Sequence, residues 1–138
     1  MKIDIGECPT LLLADDNPAM LKTLVEMLKP QFRVKASLLT GASVLDQIDL
    51  LGPDILLLDI SLGDLSGFEV AKRLGNRGST AKIIFLSIHE DIDFVTAGFD
   101  IGASGYVFKS RVVEDLREAI GIVFDGGRFV SRTSRFVL

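Results

Sequence analysis

Five side chains with chemical potential stand where apolar runs stop. Asp15 and Asp16 follow Leu11-Leu12-Leu13-Ala14, and Asp59 follows Ile55-Leu56-Leu57-Leu58. Ser87 follows Ile83-Ile84-Phe85-Leu86, and Lys109 follows Tyr106-Val107-Phe108. Brought together, three carboxylates about 4 Å apart would repel by roughly 4 kcal/mol per pair at an effective dielectric of 20. Such a cluster either raises its pKa values or takes up a cation. Oxygen donors favour a hard divalent ion, and Mg²⁺ there would keep several waters. Adding Lys109 and Mg²⁺ brings the formal charge of the three carboxylates from -3 to zero. An anionic phosphoryl group could then approach Asp59. A carboxylate can attack phosphorus and form an aspartyl phosphate. Placement and charge neutralisation would supply the rate.

Taken singly, each residue has an ordinary structural role. Asp15-Asp16-Asn17-Pro18 is a common turn and helix cap. Asp59 could also be a cap, and a lone Ser or Lys at a strand end signifies nothing. The combination carries the chemistry, because four strand ends each supply a group that one mechanism requires.

The elements that would position these groups alternate between two periods. Segments 10–14, 54–59, 82–87 and 105–109 are short runs, apolar on both faces, as central parallel strands are. Phe32-Arg33-Val34-Lys35-Ala36 alternates instead, as an edge strand does. Asn17-Pro18 places a cap before a helix-compatible proline, with Leu21, Leu24, Val25 and Leu28 at helical spacing. Ser66-Gly67-Phe68-Glu69 has capping-box spacing ahead of Val70, Ala71 and Leu74. Ile92, Val95 and Phe99 suggest a fourth helix. Val112, Val113, Leu116, Ala119, Ile120 and Val123 form the stripe of a fifth, with Ser110 as its cap and Glu114, Asp115, Arg117 and Glu118 off the stripe.

The order is β-α repeated five times. It predicts an α/β fold with a five-stranded parallel sheet and five helices on its two faces. Right-handed crossovers favour the flavodoxin-like order 2-1-3-4-5, with the functional crevice beyond the carboxyl ends of the strands. Strands 1, 3, 4 and 5 are then neighbours, so their terminal groups should converge. The Arg-rich end, residues 128–138, reads as a tail or the start of a linker.

At 138 residues the chain suits one domain, with 48% hydrophobic and 25% charged residues. Thirteen Asp against six Glu is an uneven acidity, because Asp favours turns, caps and oxygen-ligand metal sites. The net charge of -4 argues against nucleic acid binding by the chain itself. No apolar run exceeds four residues, so no membrane span is expected. The single cysteine, Cys8, forms no intrachain disulfide and fits a reducing, cytoplasmic location.

Residues 9 to about 131 resemble the receiver (CheY-like) domain of two-component response regulators. The resemblance rests on Leu13-Ala14-Asp15-Asp16-Asn17-Pro18, on Asp54 to Leu62, on Gly67 and Ser87, and on Gly102 to Ser110. It implies a receiver over 9–127, with Asp59 accepting a phosphoryl group from a sensor histidine kinase or phosphotransfer protein. It also implies that Asp16, Asp59 and the Ser61 backbone carbonyl ligate Mg²⁺, helped by Asp15. Ser87 and Lys109 would bind the phosphoryl group, and Tyr106 would be the switch aromatic of an α4-β5-α5 surface. Gly102 to Ser110 and Gly126-Gly127-Arg128-Phe129-Val130-Ser131 look like regulators of the LuxR (NarL/FixJ) type. That suggests a transcription-regulator output, or else a stand-alone single-domain regulator, with a homodimer on phosphorylation.

Departures from the family pattern are local. Gly63 and Ser110 stand where many receivers carry proline, and Gly63 should loosen the loop from Ser61 to Ser66. Ile88 follows the switch serine where a small residue is usual, and the lone histidine, His89, stands beside it. Ile88 could restrict access of water or donor and so alter the phosphoryl lifetime; His89 reads first as a solvated loop or cap residue, with a role in positioning water for dephosphorylation as the alternative. An interaction module without phosphorylation would show a damaged acid pocket, and this one is intact. A haloacid-dehalogenase-like phosphatase would carry a second Asp where Ser61 stands. A flavin phosphate would be repelled by Asp15-Asp16 without a metal.

Overall fold

A computed structural model describes residues 8–132. The elements run β1 (Thr10–Ala14), α1 (Pro18–Leu28), β2 (Arg33–Leu38), α2 (Gly41–Leu51), β3 (Ile55–Asp59) and α3 (Gly67–Asn76). They continue with β4 (Lys82–Ser87), α4 (Ile92–Ile101), β5 (Gly105–Phe108), a 3₁₀ turn (Lys109–Arg111), α5 (Val112–Phe124) and β6 (Phe129–Val130). All strands pair in parallel, in the order β2-β1-β3-β4-β5-β6.

The continuous apolar runs follow from burial on both faces. Odd and even positions of each central strand go to opposite sides. Leu12, Leu56, Leu58, Phe85, Tyr106 and Phe108 pack with residues of α2, α3 and α4. Leu11, Leu13, Ile55, Leu57, Ile84, Leu86 and Val107 pack with α1 and α5. Strand β2 has one wetter face, and its residues alternate between exposed and half-buried. It runs over Arg33–Leu38, so its start lies one residue after Phe32 and its end beyond Ala36.

Local signals explain most helix starts. Asn17 Oδ1 accepts from the Ala19 and Met20 amides, and Ser66 Oγ accepts from Glu69 N. Asp91 caps α4 by accepting from Phe94 N. Ser110 does not cap α5. A 3₁₀ turn intervenes, the cap position falls to Arg111, and the Ser110 hydroxyl donates to Glu90 instead.

Among the described residues the sheet has six strands where five were expected. Phe129–Val130 joins the free edge of β5, so the sheet runs past residue 127 into the segment expected as a tail or linker. Two residues carry too little pattern to announce a strand. Ser131 follows, buried, while residues 133–138 of that expected tail lie outside the described residues. Asp115 is also buried, against the expectation that it lies off the apolar stripe of α5.

Candidate functional site

Strand register brings the site together. Ala14 pairs with Leu58, so the residues that follow, Asp15 and Asp59, stand level at the carboxyl ends of β1 and β3. Asp59 pairs with Leu86, and Ser87 pairs with Phe108. Ser87 and Lys109 therefore fall on the same rim. Ligand oxygens of Asp15, Asp16 and Asp59 all lie within 4.8 Å of one another. Asp15 and Asp59 are buried, whereas Asp16 is exposed.

The Lys109 ammonium enters this cluster. Its Nζ donates to Asp59 Oδ2 at 3.1 Å and lies 2.9 Å from Asp15 Oδ2. Asp15 Oδ2 is thus buried and ion-paired, with no hydrogen bond of good geometry. Asp15 Oδ1 accepts from Asn17 N at 2.9 Å, and Asp59 Oδ1 accepts from Ser61 N at 3.0 Å.

Burial raises the Asp59 carboxyl above its usual range, against the lowering effect of the Ser61 amide, and the Asp15 charge adds to the rise. Burial works against the charge on Lys109, but contact with Asp15 and Asp59 outweighs it and raises that pKa. Three carboxylates and one ammonium leave the cluster at a formal charge of -2. A buried carboxylate oxygen without a hydrogen bond, beside two further carboxylates, fits a hard divalent cation of the Mg²⁺ kind.

Around the cluster, Ser87 Oγ accepts from His89 N at 2.9 Å. Tyr106 is fully buried, and its hydroxyl donates to the His89 carbonyl at 2.8 Å. Burial pushes the Tyr106 phenol up. The His89 ring stacks on Phe94 with centroids 3.9 Å apart, while Ile88 points outward at 72% exposure. The β4-α4 loop is tied across to the start of the 3₁₀ turn, because Ser110 Oγ donates to Glu90 at 2.9 Å.

The loop after Asp59 is anchored at several points. Ser61 and Ser66 form an antiparallel bridge, and the Asp64 carboxylate accepts from Gly41 N and Ala42 N at the start of α2. Those two amides hold the Asp64 carboxyl below its usual range. Gly63 has φ of +76°, which proline cannot adopt. The glycine therefore builds a different turn here. Gly67 lets α3 start hard against β3. A Cβ there would collide with the Asp59 carbonyl and meet Ile60 Cα at 2.9 Å.

All the expected site residues, Asp15, Asp16, Asp59, Ser61, Ser87, Ile88, His89, Tyr106 and Lys109, lie in or beside this rim. Asp64, which anchors the loop after Asp59, carried no such expectation, and neither did the burial of Asp115 and Ser131. Spacing could have found Asp115, which is three residues after Val112 and four before Ala119 and so lies on their stripe.

Comparison with known proteins agrees with this architecture. The family model described as response regulator receiver domain matches residues 11–121. The chain is 30% identical over 122 residues to "Transcriptional regulatory protein DegU" of Brevibacillus brevis, covering 87% of this chain and 52% of that protein. It is 32% identical over 130 residues to "Nitrate/nitrite response regulator protein NarP" of Escherichia coli, covering 92% and 60%. It thus spans little more than half the length of these curated relatives. A solved two-component response regulator of the LuxR family from Aurantimonas superposes with a TM-score of 0.84 at 26% identity, covering 89% of each chain. With its flavodoxin-like parallel sheet and its acid rim, the chain belongs to the response regulator receiver domain family.

Proposed function

We propose that this chain is a phosphoacceptor switch. Asp59 takes a phosphoryl group from the phosphohistidine of a sensor histidine kinase or phosphotransfer protein. The supporting observation is the Lys109 ammonium, 3.1 Å from Asp59 and 2.9 Å from Asp15, in a cluster of three carboxylates. An Asp59 oxygen attacks phosphorus, the bond from phosphorus to the histidine nitrogen breaks, and the imidazole leaves with that electron pair. Asp15, Asp16, Asp59 and the Ser61 carbonyl would hold Mg²⁺, which when bound neutralises phosphoryl oxygens. Lys109 pairs with the incoming negative charge, and Ser87 turns its hydroxyl to it.

The switch follows from what Ser87 and Tyr106 now hold. Ser87 Oγ and the Tyr106 hydroxyl both bind His89 backbone atoms. A move of Ser87 towards a phosphoryl group would release the His89 amide and shift the β4-α4 loop, so the α4-β5-α5 surface would change with it. Ile88 and His89, next to Ser87, are placed to modulate dephosphorylation. Outside self-phosphorylation and dephosphorylation this chain would catalyse nothing.

Relatives named as transcriptional regulators make a transcription output the favoured one. The receiver unit would cover 9–127 and act in the cytoplasm, and phosphorylation would promote a homodimer. No helix among the described residues is long and apolar enough to cross a membrane. Intact-mass spectrometry after acetyl phosphate and Mg²⁺ tests the proposal, with Asp59→Asn as control. One added HPO₃ on the wild type alone is expected. No adduct on the wild type, or the same adduct on Asp59→Asn, would overturn it.

A further inference from the structure

We propose that Asp115 and Ser131 are positioning residues for Lys109, and that through them the strand after α5 is coupled to the acid pocket. This rests on the reading of Asp59 as a phosphoacceptor paired with Lys109.

Both residues are buried, and neither touches the pocket. Ser131 follows β6 immediately. Its hydroxyl donates to Asp115 Oδ2 at 2.7 Å and accepts from Phe108 N at 3.1 Å. Its amide donates to the Tyr106 carbonyl at 3.0 Å. One residue thus grips β5 at two points, directly before Lys109. Asp115 then grips the other side: Arg111, two residues after Lys109, donates to it through Nε at 2.8 Å and Nη2 at 3.1 Å.

Both residues flanking the Lys109 turn therefore lead to one carboxylate, Phe108 by its amide through Ser131 and Arg111 by its guanidinium. Lys109 sits at the start of a three-residue 3₁₀ turn between these anchors. A short turn is held by its ends, so the anchors decide where the lysine stem begins and how its Nζ meets Asp59 and Asp15. A buried carboxylate is costly unless it is paired and hydrogen-bonded. Here Arg111 and the Ser131 hydroxyl satisfy it. Ser131 must donate and accept at once, which a hydroxyl does and a methyl does not. Ser131 is thus tethered to β5, which ends at Phe108, one residue before Lys109.

The test measures phosphorylation by acetyl phosphate with Mg²⁺, as rate against donor concentration by intact mass. Four variants are compared with the wild type: Ser131→Ala, Ser131→Thr, Asp115→Asn and Val25→Ala. Val25 lies on α1, half-buried and outside the hydrogen bonds that join Phe108, Ser131, Asp115 and Arg111, and controls for lost stability. Ser131→Ala is expected to lower the rate at saturating donor about 3- to 30-fold, as misplacement of a charged group does. Ser131→Thr keeps the hydroxyl and should stay within about twofold of wild type. Val25→Ala should keep the wild-type rate although its melting temperature falls. Amide exchange at Phe108 should speed up in Ser131→Ala and not in Val25→Ala. Asp115→Asn preserves volume and serves if Ser131→Ala does not fold; a slowed rate supports the proposal and an unchanged one overturns it.

A wild-type rate in Ser131→Ala, or an equal slowing in Val25→Ala, would overturn the positioning role. If the wild type itself takes no phosphoryl group, the phosphoacceptor reading fails, and this role fails with it. An adduct on the wild type with Ser131→Ala unaffected sinks the positioning role alone.

Discussion

Asp59→Asn should make the metal-free protein more stable while removing the proposed phosphoacceptor. The charge on Asp59 is opposed by Asp15 and Asp16 and favoured by Lys109. At 4.8 Å, the outer limit of the carboxylate cluster, Asp15 costs at least about 3.5 kcal/mol at an effective dielectric of 20. Asp16 is exposed and screened, so its share is smaller. Lys109, at 3.1 Å, offsets about 5 kcal/mol on the same scale. These terms nearly cancel. What remains is the cost of desolvating a carboxylate whose residue is 3% exposed. An asparagine avoids that cost, and its Oδ1 can still accept from Ser61 N.

The raised pKa of Asp59 fixes the sign. A carboxyl with a folded pKa above its unfolded value penalises the folded state at every pH above the folded value. The penalty fades as pH falls through the folded value towards 3.8. Asp59→Asn should therefore gain about 1–2 kcal/mol at pH 7. For a chain of this size the melting temperature would rise by about 3–10 °C. The gain should shrink as the solution is acidified. Millimolar Mg²⁺ should stabilise the wild type by mass action and Asp59→Asn much less, closing the gap. Urea unfolding in EDTA, then in Mg²⁺, at two pH values reads all of this. An Asp59→Asn protein less stable than wild type in EDTA at pH 7 would refute the reasoning, because Lys109 would then outweigh burial and repulsion together.

Two further perturbations are sharp. Gly67→Ala should destabilise by about 1–3 kcal/mol and slow phosphorylation, since a Cβ there collides with the Asp59 carbonyl; urea unfolding and intact mass check both. Ile88→Ala removes an exposed side chain beside Ser87, so it should change the dephosphorylation rate at least about twofold while leaving stability within about 0.5 kcal/mol. An unchanged decay of the aspartyl phosphate would remove Ile88 from the mechanism.

The acid pocket was legible because its parts are local. Each of Asp15, Asp59, Ser87 and Lys109 follows an apolar run, and parallel strands of similar length end at one rim. Helix starts were equally local where the cap precedes the helix directly, as Asn17 and Ser66 do. Ser110 fails that rule because its hydroxyl finds Glu90, a partner 20 residues earlier in the chain. A local rule cannot see such a competitor. The loop after Asp59 fails it for a related reason. Gly63 alone suggests slack, but Asp64 ties the loop to the amides of α2, 22 and 23 residues upstream.

Asp115 and β6 show a different limit. Asp115 lies at the right spacing to face inward, yet a carboxylate is read outward by type, and only its partners reverse that reading. Those partners are Arg111, visible at i−4, and Ser131, which no helical spacing could supply. The two-residue β6 is equally invisible alone, since two residues have no period. Each explains the other. β6 can dock because Ser131 has a buried acceptor, and Asp115 can be buried because β6 brings a donor. Local pattern therefore suffices for groups that work beside their own strand, and fails for groups whose burial depends on a partner from another element. In this chain the second kind lies next to the lysine of the first.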